Sequence, residues 1–290
     1  MEQLLVSVII PSKDSKNTLI KVLEALLLQT WENFEVIVID DGSNDYTSEL
    51  FCSNNFKLPK FKYYRFNENL GRSKARNMGL NLSQGDLLLF LDADCLPADE
   101  NFIYQHIVGH KIIKNCALIG NIKVYPSIYK DNKFARYVVY RSSIVEKRNI
   151  EYCNVPYRYF SSANVSILRK NLPNNILFDE SIIDYGWEDR DFGFKLKNLG
   201  LKFAFSEKAL VYHLDYDASL RRQCEREYNL GKNVAINLIE KNKKLYNNVC
   251  DYLGPYLYLE PIHFKNDSID ITIIKIIVRI FFFILLPISS

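Results

Sequence analysis

The stretch Leu87-Leu88-Leu89-Phe90-Leu91-Asp92-Ala93-Asp94 joins an apolar run to two aspartates that lie one residue apart. A short, wholly apolar run predicts a strand that is buried on both faces of a sheet. The aspartates follow the carboxyl end of this strand, which is where open α/β sheets bind their ligands. Hard divalent cations prefer carboxylate oxygens. The stretch therefore predicts a sheet edge at which a cation and a phosphate group can meet.

The residues before this stretch alternate between strand and helix patterns. Strands are predicted at residues 6–10, 35–39 and 62–65, and helices at 18–29 and 71–83. Such alternation is typical of an α/β fold with a mostly parallel sheet flanked by helices. Polar residues follow the strands at 6–10 and 35–39, as they follow the apolar run that ends at Leu91. We therefore expect the carboxyl ends of these three strands to converge on one crevice. These residues are Pro11, Ser12, Asp14, Asp40, Asp41, Asp92 and Asp94.

The second half of the chain has a different pattern. Helices are predicted at 99–114, 188–199 and 218–241. Strands are predicted at 117–124, 161–167, 202–205 and 210–213. The segment 130–148 has a loosely periodic helical pattern. We therefore divide the chain into a first half (1–115), a second half of the same domain (116–245), and an extension (246–290).

Composition narrows the class of protein. The chain of 290 residues is 48% hydrophobic, and its 37 basic and 34 acidic residues leave a net charge of +3. This balance lacks the excess of basic residues that nucleic-acid binders have, so no nucleic-acid partner is expected. The six cysteines form no Cys-x-x-Cys pair, and the first residues do not resemble a secretion signal. We expect reduced thiols and a cytoplasmic protein, with the inner face of the membrane as an alternative place.

An apolar segment lies near the end of the chain, at 271–286, and predicts a helix interrupted by Lys275 and Arg279. It is shorter than the roughly 20 residues that span a bilayer. The two cations are four residues apart and so share one helical face, from which they can reach lipid headgroups. We favour a peripheral membrane contact. The alternative is a helix that packs on the protein body or on a partner.

Four segments occur in a characteristic order, and the series resembles the nucleotide-binding half of the family 2 glycosyltransferases, which have a GT-A fold. The segments are Val8-Ile9-Ile10-Pro11-Ser12-Lys13-Asp14, Val38-Ile39-Asp40-Asp41-Gly42-Ser43, residues 69–79, which contain Ala75-Arg76-Asn77, and Leu91-Asp92-Ala93-Asp94. Residues 157–165, Gly186-Trp187-Glu188-Asp189 and Tyr212-His213 resemble the acceptor half of bacterial chondroitin-polymerase-type transferases and galactosyltransferase-like modules. Those polymerases have two transferase modules and this chain has length for one, so polymerisation is not implied.

The resemblance implies a metal-dependent, inverting glycosyltransferase active in polysaccharide biosynthesis. Residues 1–115 would be the nucleotide-sugar-binding half of its GT-A domain, and 116–245 the acceptor and catalytic half. The enzyme would move a hexosyl group from a nucleotide-diphosphate donor, expected to be a UDP-sugar, to a hydroxyl of a glycan, lipid-linked or peptide acceptor. The implied donor-binding residues are Pro11, Asp14, Asp40, Asp41, Arg76, Asp92 and Asp94. Either Asp40 or Asp41 would contact the base.

The same resemblance implies the remaining roles. Asp94 and His213 would hold a divalent cation, Mn²⁺ or Mg²⁺, which stabilises charge on the leaving diphosphate. Asp189 would be the general base, with Glu188 beside it to hold hydroxyl groups. Trp187 would stack on a sugar ring, and Asn164 would contact the acceptor.

Other classes fit the sequence less well. A catalytically silent nucleotide- or glycan-binding scaffold of the same fold would be recognised by the loss of Asp94 or Asp189, and both are present. Nucleotidyl transferases would need a glycine-rich basic loop after the first strand. Dehydrogenases would need Gly-x-Gly-x-x-Gly after a strand, and no predicted strand has either motif.

Overall fold

The computed structural model describes residues 4–52, 60–129, 151–152, 155–182 and 187–214, together with 221 and 225. Its strands are β1 Val6–Ser12, β2 Phe34–Asp40, β3 Phe61–Arg65, β4 Leu87–Leu91, β5 Cys95–Pro97, β6 Cys116–Val124, β7 Asn164–Leu168 and β8 Lys202–His213. The helices are α1 Lys16–Leu27, α2 Thr47–Cys52, α3 Arg72–Leu82, α4 Phe102–Ile112, α5 Pro126–Tyr129 and α6 Glu188–Asn198. Two single turns of 3₁₀ helix lie at Tyr157–Tyr159 and Arg169–Asn171.

The eight strands form one sheet in the order β3-β2-β1-β4-β7-β6-β8-β5. Strands β3, β2, β1 and β4 are parallel to one another, whereas β7 runs antiparallel to both of its neighbours, β4 and β6. Strand β8 is parallel to β6, and β5 is antiparallel to β8. The predicted α/β class, with a mostly parallel sheet flanked by helices, is confirmed.

Strand β4 is apolar along its whole length because the sheet is covered on both faces. Leu87, Leu89 and Leu91 belong to one core cluster, which also contains residues of α1 and α4. Leu88 and Phe90 point the other way, into a second cluster that contains residues of α3 and α6. This alternation is the two-residue period of a strand. It fixes the register of β4 and leaves Asp92 and Asp94 beyond the strand's carboxyl end.

Some elements differ from their sequence predictions. We expected Pro11 to stop the first strand, but β1 continues to Ser12. Strand β4 pairs with β1 only as far as Ile9, so the proline lies where β1 has lost one of its two neighbours and an N–H is less needed. The two strands predicted at 202–205 and 210–213 are one strand, β8, with an irregular register opposite Gly120 and Asn121.

The predicted segments 130–148 and 271–286 lie outside the described residues, and only Arg221 and Glu225 of the helix predicted at 218–241 are described, both as helix. In the part of the chain that the structure describes, no helix has both the length and the apolar character needed to cross a membrane.

Candidate active site

One corner of the site, the metal corner, lies where the segment between β4 and β5 meets the end of β8. Asp94 follows β4, and His213 is the last residue of β8. The His213 Nε2 atom lies 3.6 Å from Asp94 Oδ2, and both side chains are about a quarter exposed. Burial raises the pKa of Asp94, and the neighbouring charge of Asp92 adds to this effect, while His213 opposes it. The two residues predicted to bind metal are therefore brought together.

The donor set in this corner suits a divalent cation. Asp94 Oδ1 is buried and has no hydrogen-bond partner within the described structure. A buried carboxylate oxygen without a partner is costly unless a ligand satisfies it. Asp94 offers oxygen and His213 offers an imidazole nitrogen, and both are ligands that Mn²⁺ accepts. The residues present thus fit a bound cation.

Arg76 lies at the centre of the site and is almost completely buried. Its guanidinium donates to Asp92 Oδ1 at 3.0 Å and to Glu188 Oε1 at 3.1 Å, and it lies 3.9 Å from Asp189 Oδ1. Burial would lower the pKa of Arg76, but the three carboxylates outweigh burial and raise it. Arg76 therefore stays charged and links α3, the end of β4 and the start of α6. Its predicted contact with the donor stays a prediction.

Asp92 lies between the metal corner and Arg76. Burial alone would raise its pKa, but the charges of Arg76 and Arg72 outweigh burial and lower it. The Asp92 side chain is still 20% exposed. It is therefore an ionised carboxylate that a donor can reach.

Asp189 lies in the first turn of α6 and accepts a short hydrogen bond from the Ser162 hydroxyl. Burial raises the pKa of Asp189 to about 6, with Arg76 opposing the rise and Glu188 adding to it. The side chain is 25% exposed, so it is open to a ligand. A carboxylate with a pKa near neutrality is suited to take a proton at physiological pH.

Trp187 precedes α6 and has a left-handed backbone, with φ at 69°. Bulky residues rarely adopt this conformation, and when they do they often lie at functional sites. The turn is held by the bond from the Asp191 N–H to the Trp187 carbonyl. The Arg190 guanidinium lies over the indole, 5.7 Å from the ring centroid. Trp187 thus lies at the start of α6 beside Glu188 and Asp189, and its stacking on a sugar ring stays a prediction.

Asp40 and Asp41 organise the loops after β2 and before α3. Asp40 accepts hydrogen bonds from the Ser43 N–H at 2.8 Å and the Tyr63 hydroxyl at 2.6 Å. Asp41 accepts from the N–H groups of Leu70 and Gly71, at 2.6 and 2.9 Å. Both side chains are less than 5% exposed. The structure thus gives each aspartate a role in shaping the loops, and a contact of either one with the base stays a prediction.

Pro11 and Asp14 lie beside the same loop. Pro11 is buried within β1, while Asp14 is exposed and has a positive φ of 48°. The Asp14 carboxylate accepts from the Asn44 N–H at 2.6 Å, and its own N–H donates to the Ser43 hydroxyl. Gly42, in the loop after β2, has a φ of 66°. A Cβ there would lie 2.6 Å from the backbone of Glu68, in the loop before α3. The loops around the predicted base site are therefore tightly tied to each other.

Asn164 does not lie at an acceptor surface, which corrects its predicted role. It is completely buried, and its amide is fully engaged. Its oxygen lies 2.9 Å from His106 Nε2, and its nitrogen donates to the carbonyls of Asn121 and Ala209. A Cβ at Gly120 would lie 2.3 Å from that nitrogen, so the glycine makes room for it. Asn164 is a core residue that joins β7 to α4, β6 and β8.

His106 and His110 complete this buried polar network. Both rings lie 2.9 Å from the Ser166 hydroxyl. Burial lowers the pKa of His106 to about 3 and that of His110 to about 4. Both histidines are therefore neutral at pH 7, and the network stabilises the fold only while they remain so.

We expect the protein to lose stability as the pH falls below about 6.5. In the unfolded chain His106 and His110 become protonated near that pH, whereas in the folded chain they stay neutral down to about pH 4. Each histidine contributes up to about 1.4 kcal/mol per pH unit across this window. The test compares urea unfolding at pH 7.5 and 5.5 for the wild type and His110→Gln.

Asp189 contributes in the opposite sense, because its pKa is raised on folding. The change in the free energy of unfolding between pH 7.5 and 5.5 is therefore compared between the wild type and His110→Gln. The variant should lose less stability on acidification. An equal change in both would contradict the assignment.

Three residues of the site were missed by the sequence analysis. Ser162 was within a predicted strand, and its bond to Asp189 depends on a contact 27 residues away. Arg72 is exposed and its charge lowers the pKa of Asp92. Its position four residues before Arg76 places both on one face of α3, a signal that was available. Cys95 lies in the metal corner with Asp94 and His213.

The sheet agrees with the GT-A fold that the resemblance implied, and comparisons with known proteins identify the family of the chain. The model of Glycosyl transferase family 2 matches residues 7–170, more than half of the chain. The chain therefore belongs to glycosyl transferase family 2.

Among curated relatives, chondroitin synthase from Escherichia coli is 28% identical over 264 residues, covering 81% of this chain and 38% of the synthase. The chain spans 66%, 38% and 26% of the length of three such relatives.

Solved structures show the same fold at low sequence identity. The mannosyltransferase PcManGT from Pyrobaculum calidifontis, in complex with GDP-Man and Mn²⁺, superposes with a TM-score of 0.57 at 16% identity, covering 77% of this chain and 61% of that chain. TarS 1–349 from S. aureus, in complex with UDP-GlcNAc, gives 0.53 at 18% identity, covering 86% and 72%. These neighbours bind nucleotide sugars.

Proposed function

We propose that this protein is a metal-dependent, inverting glycosyltransferase that uses a UDP-sugar and a hydroxyl acceptor. One observation carries the proposal: the metal corner and Asp189 lie on one site and are joined through Asp92 and Arg76. A cation site and a carboxylate with a pKa of about 6 are the two components that this reaction requires. In this proposal residues 1–115 form the donor half and 116–245 the acceptor half.

The donor binds with its diphosphate towards Asp92, Asp94 and the exposed side chain of Arg72. Asp94 and His213 would hold a divalent cation, which would stabilise the charge on the leaving diphosphate when bound. Arg72 adds a positive charge at the same place, since it already acts on both aspartates. The tied loops around Asp41 and Asp14 form the walls for the nucleoside. The complexes of the two structural neighbours with nucleotide sugars support a nucleotide-sugar donor, and we propose that its nucleotide is UDP.

The acceptor hydroxyl lies next to the Asp189 carboxylate. Asp189 takes the hydroxyl proton as the oxygen attacks the anomeric carbon of the donor sugar, which inverts the configuration there. The bond from Ser162 and the nearby Arg76 charge hold the carboxylate in place. The face of Trp187 receives a sugar ring. The acceptor is a glycan, a lipid-linked sugar or a peptide, and a membrane-held acceptor fits the apolar segment 271–286.

The first test is a donor screen that measures nucleotide release from UDP- and GDP-sugars with Mn²⁺ or Mg²⁺. We expect turnover with a UDP-sugar that is lost on chelation. Asp94→Asn should reduce it by at least about 100-fold, because the carboxylate supplies several kcal/mol of stabilisation through the cation.

Asp86→Asn is the matched control, because Asp86 precedes the same strand at its opposite end and is exposed; it should retain activity. Full activity of Asp94→Asn, or turnover unaffected by chelation, contradicts metal dependence. Nucleotide binding without any turnover supports the catalytically silent scaffold instead.

A further inference from the structure

The metal corner contains a thiol as well as a carboxylate and an imidazole. Cys95 lies directly opposite His213 in the antiparallel pair of β5 and β8. Residues opposite each other in such a pair point to the same face of the sheet, with Cβ atoms about 5 Å apart. The Cys95 side chain is therefore directed to the same place as the His213 ring.

The distances agree with this register. Cys95 Sγ, a ring nitrogen of His213 and a carboxylate oxygen of Asp94 all lie within 4.8 Å of one another. In the described part of the chain, this is the one group of three or more such side chains close enough to hold a metal ion together. The Cys95 side chain is completely buried, and Asp94 Oδ1 beside it is a buried oxygen without a hydrogen-bond partner. The three groups thus surround a position that a cation can fill.

The kinds of atom in this group determine which cations it prefers. Mg²⁺ selects oxygen ligands and binds few others. Sulfur and imidazole nitrogen select softer cations, and a set of one Asp, one Cys and one His is of the type that binds Zn²⁺ and Cd²⁺. Mn²⁺ accepts nitrogen and oxygen but gains little from sulfur.

We propose that Cys95 is a third protein ligand of the metal site and gives it a preference for thiophilic cations over Mg²⁺. The inference rests on the metal site of the proposed function and deepens it. When the sulfur bonds to the cation, the thiol proton leaves to solvent, so no oxidant or reductant is needed. Zn²⁺ and Cd²⁺ then compete with Mn²⁺ for one position.

The test is a titration of the full-length chain with Cd²⁺, followed by ultraviolet absorption. A thiolate bonded to Cd²⁺ gives a charge-transfer band, which reports the sulfur–metal bond without any turnover. We expect the band to saturate at about one equivalent of Cd²⁺, since the site holds one cation. Zn²⁺ should remove the band, because it competes for the same position, whereas Mn²⁺ should do so only at a much larger excess. Cys95→Ser and Cys95→Ala should lack the band and bind Cd²⁺ at least about tenfold more weakly, with Mg²⁺ binding nearly unchanged.

Cys116→Ala is the control, because the Cys116 thiol is also buried but lies beside His110 in the core. That variant should keep the band. A wild-type protein without the band, a band that survives in Cys95→Ser, or a band that Mn²⁺ displaces as readily as Zn²⁺ does overturns the proposal. If the band is missing but Mn²⁺-dependent sugar transfer is intact, Cys95 is not a metal ligand and the proposed function stands. A band without transfer from any donor keeps the ligand and overturns the transferase mechanism.

Discussion

Replacing Asp189 with asparagine is expected to lower kcat by about 10² to 10⁴-fold and to leave donor binding nearly unchanged. The amide keeps the size of the side chain and its bond with Ser162 but cannot take a proton. Asp94 and His213, which hold the cation, are not altered. The measurement is nucleotide release at saturating donor and acceptor, together with donor affinity determined by calorimetry.

The pH dependence of the same reaction distinguishes a base from a structural residue. The pKa of Asp189 is about 6, so wild-type kcat should fall as the pH drops through about 6 and the carboxylate becomes protonated. The residual activity of Asp189→Asn should lack this acidic limb. Asp191→Asn is the control, because Asp191 lies in the same first turn but pairs with Lys195 at 2.7 Å. If Asp189→Asn keeps wild-type kcat, Asp189 is not the base.

Replacing Arg76 with methionine is expected to destabilise the fold by about 3 to 5 kcal/mol. The change removes the positive charge from three carboxylates that it contacts, Asp92, Glu188 and Asp189. Arg76→Lys keeps the charge but not the planar donors that reach two carboxylates together, so it should recover part of the loss. The measurement is the free energy of unfolding in urea at pH 7.5.

Arg72→Met is the matched control for stability. Arg72 lies one helical turn from Arg76 but is exposed, so its loss should change the free energy of unfolding by no more than about 0.5 kcal/mol while weakening donor binding. In Arg76→Met, the carboxyl of Asp189 loses the charge that opposes its rise in pKa. Any residual activity should therefore have its acidic limb at a higher pH. Equal stabilities of the two methionine variants would contradict the role of Arg76.

The part of the fold that sequence predicted well depends on local patterns. The apolar run before Asp92 and the alternation of strands with helices gave the α/β class and the position of the acidic edge, because each signal is contained within a few residues. The helix at 188–199 was placed within one residue of α6. Strand β5 was missed, because three residues are too few to show a two-residue period.

The roles that were missed or misplaced depend on contacts between distant residues. Arg76 meets Glu188 across 112 positions of sequence, and no periodicity reveals such a pairing. The acceptor contact of Asn164 was implied by the family resemblance, and the sequence alone does not show that this residue is buried. The buried His106 on α4 satisfies it instead. Polar groups inside a core can be recognised only when their partners are known.

The buried ion pairs of Arg76 constrain how this protein can be recombined with other members of its family. Arg76 and Asp92 come from residues 1–115, while Glu188 and Asp189 come from residues 116–245. A chimaera joined between these two parts inherits an arginine from one parent and its acidic partners from the other. Such hybrids should fold only when both parents place an arginine and these carboxylates at the matching positions, which gives a simple filter for choosing parents when new transferases are assembled.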